Sequence, residues 1–176
     1  MMLKVATMMA GLALSGVAPT ALAAELAVPV HQIDAQGVGK AIGRVEIGDG
    51  KGGLVLTTRI AGLPSGKHGF HVHENPDCGP KEKDGKSVAG LAAGGHYDPG
   101  KTGKHEGPRG RGHLGDLPEL TVDQGGNANV RLVAPRLKLA DLKGRSLMIH
   151  EGGDNYADAP KPLGGGGARI ACGVVD

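Results

Sequence analysis

The sequence predicts an all-β protein, either a sandwich or a barrel, and three observations support this fold class. Glycine supplies 33 of the 176 residues, far above the usual share of about 7%, and it lacks the period of collagen. Short β-branched runs lie between the glycines, and several alternate apolar with polar residues, as half-buried strands do. No segment has the apolar spacing of a long amphipathic helix. Many short strands separated by Gly, Pro and Asp turns favour a β-sandwich or a β-barrel.

Eight runs of β-branched and apolar residues are the candidate strands. In chain order they read LAVPVHQI, KAIGRVEI, GLVLTTRI, HGFHVH, ELTV, ANVRLVA, SLMIH and ARIACGVV. The run RLKLADLKG supplies a helical turn or two at most. Two long stretches interrupt the series, at about 74–117 and at 151–167. Structureless stretches of this length are usually functional inside a compact domain. Their composition alone is also typical of disorder, but the histidines they contain argue against it.

Residues 1–23 are predicted to be a secretory signal peptide that is cleaved. Lys4 is followed by an apolar stretch over Val5–Val17 and then by the small-x-small sequence ALA at 21–23. A membrane anchor is the less favoured alternative, because the apolar stretch is shorter than about 18 residues and contains glycine. Residues 24–176 then form one exported domain, long enough for a core of its own.

Charge and composition exclude nucleic-acid binding and point to an oxidising compartment. Cleavage removes Lys4 and takes the formal net charge from +2 to +1, which leaves no basic footprint. Aromatic residues make up 2% of the chain, so stacking platforms for bases are missing. Cys78 and Cys172 are the only cysteines, and an even count in an exported chain favours one disulfide. It would close a loop of about 95 residues, worth roughly 4–5 kcal/mol by chain entropy.

Six of the eight histidines lie in or beside the two long stretches. If 68–73 is a strand, His71 and His73 project from one face, because residues two apart share a face. His150 ends the strand run SLMIH and can reach that face. This imidazole-rich set contains no thiolate or methionine, so it suits Cu(II) as well as zinc.

A second donor set follows within the first long stretch. Its histidines are spaced by 9 and 8 residues, and an aspartate follows three residues later: His96, His105, His113 and Asp116. Three imidazoles and one carboxylate make a plausible tetrahedral zinc site. His31 and His68 are assigned structural roles, since a lone histidine is more often structural than a ligand.

Five motifs carry a resemblance to a known family. GFHVHE, GGHYDP, HEGPRGRGHLGD, LMIHEGGDNY and PLGGGGARIACGV resemble, in order and spacing, those of copper–zinc superoxide dismutases, and the bacterial periplasmic branch is the closer match. The similarity covers essentially all of the chain after the signal peptide. It implies an all-β Greek-key β-barrel (an immunoglobulin-like sandwich) with two long functional loops. The implied copper ligands are His71, His73, His96 and His150. The implied zinc ligands are His96, His105, His113 and Asp116, with His96 bridging both ions.

The resemblance also implies roles for supporting residues. Asp154 is implied to link a copper-ligand histidine to a zinc-ligand histidine, and a turn-forming role after Gly-Gly is compatible with this. Arg169 is implied to lie beside copper and to attract and position the substrate anion. Cys78 and Cys172 match the family disulfide. Three lysines interleaved with acids are candidate outer steering charges, and an ordinary solvated face explains them at least as well: Lys81, Lys83 and Lys86.

The implied activity is the dismutation of superoxide to oxygen and hydrogen peroxide. One copper per chain would cycle between Cu(II) and Cu(I), while one zinc per chain has no redox chemistry. His96 would take up a proton and supply it to the peroxide. The resemblance further implies a periplasmic location, with neither nucleic acid nor membrane as a partner after signal cleavage. It leaves both a monomer and a homodimer open.

Two other functions compete with this interpretation. A non-catalytic periplasmic metal-binding module on the same barrel would be favoured by a missing copper ligand or arginine, and none is missing. A zinc hydrolase needs an open zinc position beside a general base, whereas the second donor set already fills four positions.

Overall fold

Residues 26–176 are described by a computed structural model, and the predicted signal peptide lies outside them. No helix among these residues is long and apolar enough to cross a membrane. The strands are β1 (Leu26–Asp34), β2 (Gly37–Gly50), β3 (Gly53–Ala61), β4 (Gly66–His68), β5 (Phe70–His73), β6 (Lys81–Lys83), β7 (Lys86–Val88), β8 (Leu120–Val122), β9 (Asn127–Ala128), β10 (Arg131–Ala134), β11 (Arg145–His150) and β12 (Arg169–Val175). Short 3₁₀ turns cover Leu91–Ala93, Leu139–Leu142 and Leu163–Gly165.

Eight of these strands form one curled sheet, which confirms the all-β prediction. Its order is β10-β3-β2-β1-β12-β11-β5, and β9 adds to β3. Every pairing is antiparallel, and β1 pairs with the last strand, β12. Two small pairs, β4 with β8 and β6 with β7, lie outside the sheet.

The alternation in β3 shows why these runs become strands. Leu54, Leu56 and Ile60 point inward and are no more than 1% exposed, while Arg59 and Ala61 point outward and are exposed. Side chains of period two place one apolar face on the core, so the sequence pattern and the sheet agree.

Strand β5 places its side chains on two faces, both of them covered. Phe70 and Val72 pack into the main core and are fully buried. His71 and His73 point to the opposite, outer face of the sheet, yet they are also fully buried, because the long loops cover that face. The prediction that the two histidines share a face is therefore confirmed.

The single strand expected over 68–73 is in fact two strands. Gly69 separates β4 from β5, and its backbone bonds to the second long loop and to β11, with Gly69 N–H donating to the Gly152 carbonyl at 2.7 Å and the Gly69 carbonyl accepting from His150 N–H at 2.8 Å. His68 consequently belongs to the small β4–β8 pair, apart from His71 and His73.

The first long stretch is more ordered than its composition indicates. Lys83 pairs with Lys86 across a hairpin whose turn residues, Asp84 and Gly85, have φ values of 52° and 73°. Positive φ at both turn positions is the type I′ geometry that Asp-Gly favours, so this sequence signal for a hairpin was overlooked. A disulfide between Cys78 and Cys172 ties the stretch to β12, which confirms the predicted pairing.

The same stretch covers the free edge of β5, which is the last strand of the sheet. Val72 N–H donates to the Gly115 carbonyl, Tyr97 N–H donates to the Val72 carbonyl, and Gly115 N–H donates to the Tyr97 carbonyl, each at 2.8 Å. These bonds hold Tyr97 and Gly115 against the strand that carries His71. Tyr97 follows His96 and Gly115 precedes Asp116, so two predicted ligands are held beside that strand.

Candidate metal centre

Two strands and the first long loop bring the predicted copper ligands together. His71 and His73 lie on β5, and His150 ends the neighbouring strand β11. His96 forms an isolated β-bridge with His73, so its ring reaches the same face. A nitrogen from each of these buried imidazoles lies within 4.8 Å of the others: His71, His73, His96 and His150.

Hydrogen bonds to protein acceptors orient three of these rings. His73 Nδ1 lies 3.0 Å from the Gly94 carbonyl, and His150 Nδ1 lies 3.2 Å from the Gly167 carbonyl. The free Nε2 atoms of His73 and His150 then face each other at 3.5 Å. His71 uses Nε2 for the Asp154 carboxylate at 2.8 Å, which leaves Nδ1 for the interior of the cluster.

The predicted zinc ligands gather around one carboxylate oxygen, Asp116 Oδ1. The Nδ1 atoms of His96 and His105 lie 3.1 Å from it, and that of His113 lies 3.4 Å from it. Asp116 is held in place by an isolated β-bridge with His71 and by the N–H groups of residues 106 and 107, which donate to Oδ2.

Two histidines, His71 and His113, are alternative candidates for the fourth position in this second set. The tight group with all donor atoms within 4.8 Å of one another is His71, His96, His105 and Asp116. His71 enters it because its ring stacks on His96 with centroids 3.9 Å apart. His113 lies beside Asp116 but outside that tight group.

Unpaired ring nitrogens show that both sets fit metal ions. Buried nitrogens without a hydrogen-bond partner are His71 Nδ1, His96 Nε2, His105 Nδ1 and His113 Nδ1. A buried polar atom left unpaired costs free energy, so four of them in one cluster require another partner. Neutral imidazole nitrogen is a common ligand of both zinc and copper, and a bound cation satisfies these atoms.

Asp154 connects the two sets. Its buried carboxylate accepts from His71 Nε2 at 2.8 Å and from His105 Nε2 at 2.7 Å. Tyr156 N–H donates to the same carboxylate at 2.8 Å, and Glu119 accepts from Asp154 N–H at 2.9 Å. Such a carboxylate fixes the tautomer and the orientation of each ring it contacts.

The surroundings of three imidazoles in the first set favour their neutral form. Burial lowers the pKa of His71 to about 3 and that of His150 to about 4. Burial likewise lowers the pKa of His73 well below its usual value, and the neighbouring charge of Arg169 acts in the same direction. Neutral imidazole is the form that binds metals, so protons compete weakly for these rings.

The second set carries opposite charges at close range. Burial lowers the pKa of His105, but the carboxylates of Asp116 and Asp154, at 3.1 and 2.7 Å from its ring nitrogens, outweigh this and raise it to about 9. The neighbouring histidines in turn hold the pKa of both carboxyls well below the usual range. Two carboxylates therefore offer negative charge for a divalent cation at this end of the centre.

Arg169 lies at the rim of the first set. It begins β12 and pairs across the sheet with His150. Its guanidinium is half-buried, and it donates to the Gly90 carbonyl at 2.5 Å and to the Gly94 carbonyl at 2.7 Å. Gly94 also accepts from His73, so the arginine and a ligand histidine share one anchor.

Three other predicted groups lie away from the donor sets. The buried His68 contacts the carbonyls of His150 and Pro64 at 2.7 and 2.9 Å, which agrees with the structural role assigned to it. His31 lies in β1 and pairs in register with Cys172. The candidate steering lysines are exposed, and their register in the β6–β7 hairpin places them on one face of it: Lys81, Lys83 and Lys86.

The sequence reasoning missed the groups that support the ligands. Glu119 also forms an ion pair with Lys67 at 3.0 Å, and Tyr156 accepts a hydrogen bond from Glu119 N–H at 2.9 Å. Arg136 donates to backbone carbonyls of the loop that carries His113. The partners of Glu119 lie more than 30 positions away in the chain, and backbone carbonyls have no residue-type signal, so no local pattern in the sequence pointed to these contacts.

A curled antiparallel sheet whose outer face carries two imidazole sets, joined by a shared histidine and a shared aspartate, defines a binuclear metalloprotein. The chain belongs to the copper/zinc superoxide dismutase family, whose model matches residues 41–175. It is 57% identical over 156 residues to superoxide dismutase [Cu-Zn] 2 of Salmonella typhimurium, covering 88% of this chain and 90% of that relative. It is 52% identical over 160 residues to superoxide dismutase [Cu-Zn] of Escherichia coli, covering 90% of this chain and 92% of that relative.

Solved structures agree with the family assignment. The Cu/Zn superoxide dismutase from Brucella abortus is 55% identical, with a TM-score of 0.85 over 86% of this chain and 99% of that one. The monomeric copper, zinc superoxide dismutase from Salmonella enterica, solved in solution, is 55% identical with a TM-score of 0.78 over the same shares. The β-barrel fold is confirmed, as are the dismutation of superoxide and the use of copper and zinc.

Proposed function

We propose that the two donor sets divide between the two metals of this enzyme. Copper is held by His71, His73, His96 and His150, and zinc by His96, His105, His113 and Asp116. The observation that carries the division is the ring of His96, which has Nδ1 at 3.1 Å from Asp116 and Nε2 buried without a partner. One nitrogen is thus available to each set.

His113 rather than His71 completes the zinc set in this proposal. His71 Nδ1 already belongs to the cluster with His73 and His150, while His113 Nδ1 is buried, has no hydrogen bond and lies 3.4 Å from Asp116 Oδ1. Zinc prefers four ligands in structural sites, and His113 is the remaining imidazole within reach of that carboxylate.

The protein residues guide the anion and the protons. Bound copper supplies one-electron chemistry between Cu(II) and Cu(I), and bound zinc supplies charge without redox change. Arg169 draws superoxide in by its charge, and its two carbonyl anchors hold the guanidinium still. Dismutation converts two superoxide anions and two protons into oxygen and hydrogen peroxide, and bound copper would supply the electron exchange. His96 would carry one of the two protons on Nε2 whenever that atom is not bound to copper, and solvent would supply the other.

The test is metal content measured together with superoxide removal on the purified mature chain. We expect one copper and one zinc per chain. His71→Ala and His150→Ala should remove most activity and leave the barrel folded by circular dichroism, while His31→Ala, outside both donor sets, should keep it. Full activity in either ligand variant contradicts the copper assignment. Metal binding without dismutation would instead favour the non-catalytic metal-binding module.

We further propose that residues 1–23 direct export to the periplasm, and that residues 24–176 are the mature domain. A disulfide between Cys78 and Cys172 suits an oxidising compartment, and the relatives are bacterial enzymes. Mass spectrometry of the protein from a periplasmic extract should give a chain that begins after Ala23 or Ala24. A full-length chain confined to the cytoplasm would contradict export.

One chain is proposed to suffice for activity. Both proposed donor sets and Arg169 come from a single chain, so a homodimer would add nothing to the site. The Salmonella relative is described as monomeric. Sedimentation velocity across a range of concentrations, with activity per chain measured in parallel, tests this: activity that falls on dilution as a dimer dissociates would contradict it.

A further inference from the structure

Arg136 makes an unusual set of contacts with the loop that carries the proposed zinc ligands. It follows β10 and lies between Ala134 and Leu137, two buried members of the main core. Its guanidinium donates to four backbone carbonyls: Nε to Pro108 at 3.2 Å, Nη1 to Gly112 at 3.1 Å, Nη2 to Gly107 at 3.3 Å, and Nη2 also to His113. The turn over 107–113 therefore wraps around the guanidinium of Arg136, whose neighbours in the chain pack in the barrel core.

Other hydrogen bonds hold the turn as well: His113 N–H donates to the Lys104 carbonyl at 2.8 Å, and Arg111 N–H donates to the Glu106 carboxylate at 2.9 Å. These bonds stay within the first long loop, whereas the remaining anchors reach the site, the second long loop or, through Arg136, the segment after β10. Asp116 accepts from Gly107 N–H and is itself a proposed ligand. Asp158 accepts from His105 N–H at 3.0 Å and lies in the second long loop. Arg136 connects the turn to the segment that follows β10. In the strand order of the sheet, β10 and β5 lie at opposite ends.

Chemistry explains why an arginine occupies this position. Carbonyl oxygens that converge on one point repel each other, and a cation at that point offsets the repulsion. A guanidinium offers five N–H donors in a rigid plane, whereas a lysine ammonium offers three donors on a flexible stem. Only the planar fork can bond four carbonyls spread over 107–113 at once.

We propose that Arg136 is a positioning residue for the zinc site. By closing the 107–113 turn, it fixes His113 before zinc arrives, so less conformational entropy is lost when the metal binds. This rests on the proposed assignment of His113 to zinc. His96 and Asp116 have their own backbone bridges to β5, and His105 N–H donates to Asp158 in the second long loop, so Arg136 acts on His113, which has neither contact.

The test compares Arg136→Gln and Arg136→Lys with the unmodified copper-loaded enzyme. Zinc affinity is measured by competition with a chelator, and the visible spectrum of Co(II) placed at the zinc site reports ligand geometry. We expect Arg136→Gln to weaken zinc binding by about tenfold or more, the scale on which groups that orient ligands act, and to alter the Co(II) spectrum. Arg136→Lys keeps the charge without the fork and should show a smaller change in the same direction.

Matched controls separate positioning from general loss of structure. Arg131→Gln removes an exposed arginine from the same strand, β10, and should leave zinc affinity unchanged. Copper affinity and the unfolding midpoint of the metal-free barrel should also stay close to those of the unmodified chain. If copper affinity and barrel stability fall along with zinc affinity in both Arg136 variants, the effect is general and the proposal is wrong.

His113→Gln distinguishes failure of this proposal from failure of the zinc assignment. If His113→Gln leaves zinc affinity intact, the assignment and the role of Arg136 fall together. If His113→Gln weakens zinc binding while both Arg136 variants bind zinc normally and keep the Co(II) spectrum, only the role of Arg136 is overturned.

Discussion

Three histidines of the proposed copper set have one ring nitrogen occupied by a neighbouring acceptor. His73 and His150 use Nδ1 for backbone carbonyls, so Nε2 faces the site, whereas His71 uses Nε2 for Asp154, so Nδ1 faces the site. The hydrogen bond on one side of a ring fixes the tautomer and thereby the atom that binds the metal. The proposed copper set thus offers both Nδ1 and Nε2 donors.

Reversing the charge of Arg169 should lower the dismutation rate far more than keeping it. Charge in a cleft raises the on-rate of an oppositely charged substrate by about 10–10³, so we expect Arg169→Glu to lose at least about tenfold and Arg169→Lys to lose less. The unmodified rate should also fall with ionic strength, because the screening length is about 10 Å at 0.1 M. Stopped-flow decay of superoxide measures both effects.

The control for this prediction is Arg44→Glu, the same charge change on the exposed face of β2. It should leave the rate nearly unchanged, and it should keep the salt dependence of the unmodified enzyme. A rate that ignores both the Arg169 reversal and the salt concentration would show that steering does not operate here.

Zinc uptake by the metal-free protein should release about one proton near neutral pH, because a ligand must lose its proton to bind. The pKa of His105 is raised to about 9 by Asp116 and Asp154, so its ring is charged before zinc binds. Calorimetry in buffers of different protonation enthalpy measures the release. Copper uptake is the internal control, since the pKa values of His71 and His150 are lowered. A zinc enthalpy that is independent of buffer would contradict the prediction.

The raised pKa of His105 makes the stability of the metal-free fold depend on pH. The folded pKa of His105, about 9, lies above the unfolded value of about 6.5. Its ion pairs therefore stabilise the fold fully below about pH 6.5, and that stabilisation is lost as the pH rises through about 9. His71 acts in the opposite sense: the unfolded chain gains its proton first, so acid destabilises the metal-free fold.

Sequence reasoning brought the right histidines together but could not choose among their atoms. The spacing of His71 and His73 in a strand predicts a shared face, and the structure agrees. The choice of ring nitrogen depends on the carbonyls of Gly94 and Gly167, and any residue type has a carbonyl. For the same reason Arg136 was not singled out, although its partners are the backbone of the predicted zinc loop.

At the scale of elements, the centre is built from one strand pair and two loops. β5 and β11 supply three imidazoles in fixed register, and the first loop adds the others by pairing its backbone with the edge of β5. Because the loop has little apolar content, we expect it to depend on metal for its order. Because Tyr97 and Gly115 are bonded to β5, only the segment between them is expected to need metal for its order.

Removal of zinc should therefore loosen residues 98–114 most, with His96 following, while the barrel strands change little. Binding energy to the folded state adds to stability, and Leu114 is the one aliphatic side chain that this glycine-rich segment can pack on the barrel. Asp154→Asn should act in the same direction but more weakly, through lost orientation of His71 and His105. Hydrogen exchange on copper-only and fully metallated protein measures it. Equal protection of 74–117 in both forms would show that zinc is not the organiser.

Two element boundaries depended on signals of different kinds. The Asp84-Gly85 pair in KEKDGKSV marks a hairpin turn in the sequence itself, so β6 and β7 were predictable. The break at Gly69 was not, because it arises from bonds to Gly152 and His150, residues more than 80 positions away. Tertiary contacts of that kind leave no local pattern.

At the scale of the molecule, the disulfide joins the loop beside the metals to the barrel. Cys78 and Cys172 are 94 residues apart, and closing a loop of that length is worth roughly 4–5 kcal/mol by chain entropy. Replacing both by serine should lower the free energy of unfolding of the metal-free protein by a few kcal/mol. Activity should fall as well, because the freed loop includes Gly90, whose carbonyl holds Arg169.

Chemical denaturation of the metal-free double variant, with superoxide removal by the metallated one, checks both effects. Reduction of the unmodified protein by a thiol is the matched comparison and should reproduce them. Unchanged stability with unchanged activity would mean that the bridge is dispensable.

The loop that lies along β5 has a consequence for solubility. β5 is the last strand of the sheet, and the backbone of Val72 is occupied by Tyr97 and Gly115. An uncovered edge strand invites pairing with the edge of another molecule, which is a route to aggregation. In protein that lacks both metals, the bonds of Tyr97 and Gly115 must hold the loop against β5 without help from the ligands beside them, so they should open more often. Such protein should scatter light on incubation at high concentration, and added zinc should suppress the scattering. The metals would then keep copies of the chain apart as well as serve the reaction.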